Sequence, residues 1–139
     1  MSRRDARTIA LRSLFALDFT PDSTPSETVQ AMAEEEDIQD TRKKDLSYAT
    51  QLVEGTREHL ADIDETLNSL AKEWTVERMA AIDRNLLRMA SYEMYYQEEP
   101  VPPAVVINEA VELAKGYGSD DSPAFINGML GALVKKHGA

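Results

Sequence analysis

Ile82-Asp83-Arg84-Asn85-Leu86-Leu87-Arg88-Met89-Ala90-Ser91-Tyr92-Glu93-Met94 is the stretch whose reading decides the fold. Ile82, Leu86, Met89, Ala90 and Met94 fall at helical spacing, so one face of an α-helix carries them all. Asp83 stands in the first turn, where the helix dipole favours a carboxylate. Downstream, Glu98-Glu99-Pro100-Val101-Pro102-Pro103 reads as a stiff linker, because proline fixes φ and has no N–H to donate. A second helix starts near Ala104 and carries Val106, Ile107, Ala110, Val111 and Ala114. It ends at Lys115-Gly116-Tyr117-Gly118, with lysine in the last turn and glycine just beyond. A third is predicted from Ser122 as N-cap and Pro123 at the first helical position. Phe125, Ile126, Met129, Leu130, Leu133 and Val134 form its inward face.

Upstream the same period recurs. The first helix is predicted from about Asp5 to Leu17, with Ile9, Leu14 and Leu17, flanked by Ala6, Ala10 and Ser13, inward and Arg4, Arg7 and Arg12 on or beside the opposite face. Pro21 disfavours helix for the residue before it. Thr24-Pro25-Ser26-Glu27 is a helix start with a capping box, and the helix ends in the acidic run Glu34-Glu35-Glu36-Asp37. A further start at Asp40 or Thr41 opens a long stripe from Leu46 through Leu70, with Gly55 as its weak point. Trp74 is expected to anchor a core. The fold class is therefore all-α: one compact domain over 1–139 with six to seven helices in two helical subdomains, roughly 1–72 and 73–139.

Composition removes several classes of function. The chain has 139 residues and no cysteine, which excludes disulfides, thiol catalysis and cysteine-bound zinc. No apolar run approaches the roughly 20 residues of a membrane span, and no signal peptide is visible, so a cytoplasmic protein without membrane attachment is expected. His59 and His137 lack metal-ligand spacing, and His59 reads as a surface residue. No glycine-rich phosphate loop follows a strand. Neither catalytic nor metal-binding residues are assigned, and no enzyme is expected.

The net charge of −10 is unevenly spread. Residues 1–12 hold four arginines against one aspartate, a balance of +3 that leaves −13 on the remainder. That asymmetry points to a local anion site on a body that otherwise repels nucleic acid, or to a basic segment that merely solvates the first helix.

Three segments together resemble the NusB family of transcription antitermination factors. They are Arg3-Arg4-Asp5-Ala6-Arg7 with Ala10, Leu11, Leu14 and Phe15; the stretch Ile82–Met94; and Val101–Lys115 continuing through Tyr117-Gly118 and Asp121–Gly131. The resemblance spans essentially the whole chain. It implies a two-part helical fold and binding of boxA RNA together with NusE, a ribosomal small-subunit protein. The assembly acts on RNA polymerase so that it reads through terminators in ribosomal RNA operons. No cofactor comes with it.

Carried over residue by residue, the resemblance assigns RNA contact to Arg3, Arg4 and Arg7, with Arg12, Asp121 and Ser122 as further candidates. It assigns the NusE face to Asp83, Arg84, Asp121 and Phe125. Each has a plainer reading as well: N-capping for Ser122, core packing for Phe125, a dipole-favoured carboxylate for Asp83. Arg88 and Glu93 read as structural. Two other functions stay open at this point: a protein-interaction module without RNA binding, and the NusB-like accessory domain of a ribosomal RNA methyltransferase. Monomer and homodimer are both compatible with the sequence.

Overall fold

A computed structural model of the chain describes residues 2–35, 43–71 and 74–138. Seven helices are found among them, and no strand: α1 (Arg3–Phe19), α2 (Pro25–Glu35), α3 (Lys43–Glu58), α4 (Leu60–Ala71), α5 (Ala81–Tyr95), α6 (Pro103–Tyr117) and α7 (Ser122–Lys136). The all-α class follows. The predicted start at Asp40 or Thr41, and Glu36 and Asp37 of the acidic run, lie outside the described residues.

The chain divides into two compact units, Met1–Arg57 and Glu58–Ala139. The sequence placed the division after residue 72. It falls earlier because α4 packs on α5 and α7, within the second unit. The long stripe from Leu46 to Leu70 is thus two helices, broken at His59 rather than at Gly55. His59 is half-buried, not a surface residue: its ring lies 6.1 Å from that of Tyr92 and 5.0 Å from that of Tyr96.

In the first unit α1 packs on α2. It begins two residues earlier than the apolar stripe suggests, because Ser2 and Asp5 form a capping box. Asp5 N–H donates to Ser2 Oγ at 3.1 Å, and Ser2 N–H donates to Asp5 Oδ2 at 3.0 Å. Helix α2 starts as predicted: Glu27 N–H donates to Thr24 Oγ1 and Pro25 opens the helix. Arg57, at the end of α3, donates from Nη2 to the carbonyl of Pro21 at 2.9 Å and so holds the α1–α2 turn.

The second unit is organised around α5, which packs on α4, α6 and α7. Leu86, Leu87, Met89, Ala90, Tyr92 and Met94 are buried, and so are the polar Asp83, Asn85, Ser91 and Glu93. Burying a polar group without a partner is costly, so most of these are satisfied locally. Asn85 Nδ2 donates to Ala81 O, and Ser91 Oγ donates to Leu87 O. Arg88 reaches α4, where Nε and Nη2 donate to Asp64 Oδ1 and Oδ2, each at 2.8 Å. This two-point pair has the fork geometry that arginine supplies. Val101 N–H donates to Glu93 O at 3.0 Å and pins the proline linker against α5.

Tyr95 stacks on His137, ring centroids 3.7 Å apart, and its buried hydroxyl has no hydrogen-bond partner. Burial pushes the Tyr95 phenol above its ordinary ionisation range. The folded state therefore keeps this proton to higher pH than the unfolded chain does. Its contribution to stability is complete below the unfolded value of about 10 and is lost as pH rises through the raised folded value.

Two stability measurements follow. In urea titrations, Asp64→Asn should cost about 2 kcal/mol, because it strips the half-buried Arg88 of a charged two-point acceptor. Tyr95→Phe should leave neutral-pH stability unchanged or raise it by roughly 1 kcal/mol, since the hydroxyl it removes is unsatisfied. The same variant should abolish the part of the alkaline stability loss that Tyr95 causes.

Candidate functional site

The first unit presents a short basic edge at the start of α1. Arg3 and Arg4 are exposed. The Arg3 guanidinium lies 3.5 Å from the centroid of the Tyr48 ring on α3, a cation–π contact that fixes the plane of the fork. Arg7, one turn on, is only 6% exposed, whereas the sequence put it on or beside the open face. Ala6, Ala10 and Ser13 of the predicted stripe are wholly buried, but so is Leu11 outside it, so the buried arc of α1 is wider than that stripe. Arg12 is half-buried and lies 3.7 Å from Glu35 of α2. The exposed basic group is thus Arg3 and Arg4, with Tyr48 as a member that helical spacing could not reveal.

The second unit carries a cavity of about 330 Å³ whose wall includes Trp74, Arg78, Met79, Asp83, Asp121 and Phe125. Three of the four residues assigned to the partner face, Asp83, Asp121 and Phe125, come together here. Arg84 stands apart, half-buried, with Nη1 directed to the carbonyl of Val76 at 3.5 Å. Trp74 is 58% exposed at this site and anchors no core, contrary to the expectation from its size. The turn that carries it is held from α4: Val76 N–H donates to Asn68 Oδ1 at 2.8 Å, and the amides of Arg78 and Met79 donate to Thr75 O. Nothing in the apolar period marks that turn as a wall of a site.

Asp83 is 9% exposed, in the first turn of α5, and its Oδ1 has no hydrogen-bond partner. Asp121 is the exposed residue preceding α7. Ser122, predicted as the N-cap, is instead the first residue of α7, 2% exposed. Its hydroxyl turns back and accepts from Ser119 N–H at 3.0 Å. Phe125 is half-buried rather than a full core residue. Gly118 sits against this corner with φ −97°, so it is not a left-handed cap. A Cβ there would come within 2.6 Å of Ser122 Cβ and 3.0 Å of Ala114 O, so space is what demands glycine.

Among the described residues no group of three or more histidines, aspartates and glutamates is arranged to hold a metal ion. No described helix is long and apolar enough to cross a membrane. The chemistry on view is recognition: an exposed arginine pair on one unit, and an acidic, aromatic-walled cavity on the other.

Such a molecule is a helical binding protein in class. The family model "NusB family" matches residues 4–135. The transcription antitermination protein NusB of Salinispora arenicola is 45% identical over 134 residues, covering 96% of each chain. The fold matches that of T. maritima NusB with TM-score 0.85 and 31% identity, over 97% of this chain and 92% of that one. It also matches a chain in the crystal structure of antitermination factors NusB and NusE in complex with dsRNA, with TM-score 0.80 and 29% identity over 96% of each chain. The chain belongs to the NusB family.

The crowding at Gly118 is directly testable. Gly118→Ala should displace Ser122 and loosen the α6–α7 corner, lowering stability by about 2 kcal/mol in thermal or urea unfolding. The adjacent Gly116, with open space where a Cβ would go, should accept alanine without such a loss.

Proposed function

We propose that this chain is a transcription antitermination factor that binds boxA-type single-stranded RNA together with NusE. In this reading it acts in the cytoplasm, within the complex that lets RNA polymerase pass terminators in ribosomal RNA operons. The observation that carries the proposal is the near-complete match to relatives named for antitermination, one of them crystallised with NusE and RNA. The role is binding, and no catalytic step is assigned to any residue.

The assignment of residues rests on exposure and chemistry. Arg3 and Arg4 are the arginines that stand open at the start of α1, where backbone N–H groups also favour anions. Arginine offers a fork to phosphate and a plane to bases, the two features by which single-stranded RNA is held. Arg7 is buried and supports that edge from within. Arg12, shared with Glu35, is a secondary contact. Asp121 stands exposed for RNA or NusE, and Ser122 shapes the loop that presents it. In this reading Asp83 and Phe125 belong to the NusE face, and Arg84, turned to the carbonyl of Val76, lies outside their cavity.

A fluorescent boxA RNA titrated with this protein, with and without NusE and at two salt concentrations, tests the reading. Binding should require NusE for full strength and weaken with salt. Replacing both Arg3 and Arg4 by alanine should lower affinity about tenfold and make the salt dependence shallower by about two counterions. Equal affinity of wild type and double variant would remove these arginines from the RNA site. Affinity for boxA no better than for a scrambled RNA, with NusE present, would end the RNA function itself.

A further inference from the structure

The first turn of α5 holds the only carboxylate oxygen among the described residues that is buried without a hydrogen-bond partner, Asp83 Oδ1. The Asp83 side chain is nine-tenths buried and forms part of the cavity wall. On the same helix Asn85 and Ser91 are satisfied by the backbone, and the other buried atom of α5 without a partner is the Tyr95 hydroxyl at the far end. A carboxylate oxygen left unpaired in such a place is costly, and a cation paired with this group from the cavity would relieve it. Arg78 shares the wall, yet Asp83 Oδ1 accepts nothing from it.

The second observation is Trp74. It is the single tryptophan of the chain and stands 58% exposed at the same cavity, with the half-buried ring of Phe125 in the wall as well. Exposed apolar rings beside an unpaired carboxylate select a particular kind of group. A guanidinium stacks its plane on an aromatic ring and donates two parallel hydrogen bonds to a carboxylate. A lysine ammonium would answer the charge but not the plane. Asp121, in the same wall, adds a second negative charge. The charge of −10 on the chain favours a basic partner at long range, and a ribosomal protein that binds RNA is basic where it meets phosphate.

We infer that this cavity receives one arginine side chain of NusE, its guanidinium paired with Asp83 and stacked on Trp74. The inference rests on the NusE reading above and specifies its chemistry. Rotation about the Asp83 Cβ–Cγ bond exchanges the two carboxylate oxygens, so either can face the incoming fork.

A double-mutant cycle measured by calorimetry tests it. Asp83→Asn keeps the shape and removes the charge, and it should weaken NusE binding roughly 30-fold, the scale of truncating a desolvated charge pair. Each arginine of NusE is replaced singly by alanine. One of these replacements should weaken binding to the wild-type chain by a similar factor and change binding to Asp83→Asn little. The same arginine should show coupling to Trp74→Leu, a change at an exposed side chain that guards against a folding defect in the first variant. With a tryptophan-free NusE, Trp74 emission should move to shorter wavelength on binding. Losses that add for every NusE arginine, or wild-type affinity for Asp83→Asn, would overturn the cavity assignment while leaving NusE binding in place. A wild-type chain that does not bind NusE would instead remove the partner reading and the inference with it.

Discussion

Burial of α5 sets the terms for the rest of the second unit. A helix surrounded by α4, α6 and α7 has almost no solvated face on which to place polar side chains. Each one it carries must therefore find a partner within reach or stand at a terminus. Asn85 and Ser91 use the backbone one turn back, and Arg88 leaves the helix to fork onto Asp64. The proline linker is then docked by Val101 on Glu93 O, which fixes where α6 can begin. The exceptions stand at its two ends: the Tyr95 hydroxyl in the last turn, and Asp83 Oδ1 in the first, where α5 borders a cavity. A constraint that runs along the helix is relaxed at both of its ends.

The two candidate surfaces differ in how they treat charge. On the first unit the arginines are few, and geometry orders them: Tyr48 stacks under Arg3, and the Ser2–Asp5 capping box fixes the turn that carries them. On the second unit, negative charge is held close to apolar rings, where lower polarity strengthens its attraction for a cation. An acidic protein can in this way hold an anion at one place and a basic partner at another without a large basic patch. The net charge of the chain describes neither surface.

The helices were largely legible in the sequence because their signals are local. Thr24-Pro25 at α2 is a capping statement about neighbours, and the Ile82–Met94 stripe is a statement about one face. The errors fall where the deciding interaction is distant in sequence. The break at His59 goes with a packed cluster of His59, Tyr92 and Tyr96 contributed from α5 and just beyond it, and no glycine marks it. Trp74 is a core residue by size, yet Asn68 fixes its turn in an open position. Ser122 has the composition of a cap but answers to Ser119 and to the close approach of Gly118. Of the assigned residues, Asp83, Asp121 and Phe125 do share one wall, whereas Arg7 is buried because α1 is enclosed on a broader arc than its stripe suggests. Periodicity reports which side of a helix is apolar, and it is silent on how far neighbours wrap around it.

Each of the two units is a single unbroken length of chain. The contacts that shape the arginine edge, from Ser2 with Asp5 to Arg3 with Tyr48 and Arg57 with Pro21, all close within the first 57 residues. No strand pairing between distant segments has to be searched for, and helix neighbours in space are mostly neighbours in order, which favours fast folding. On a ribosome, synthesis runs from the N-terminus and leading segments gain their structure first. The arginine edge can therefore be assembled while the cavity-bearing half is still being translated.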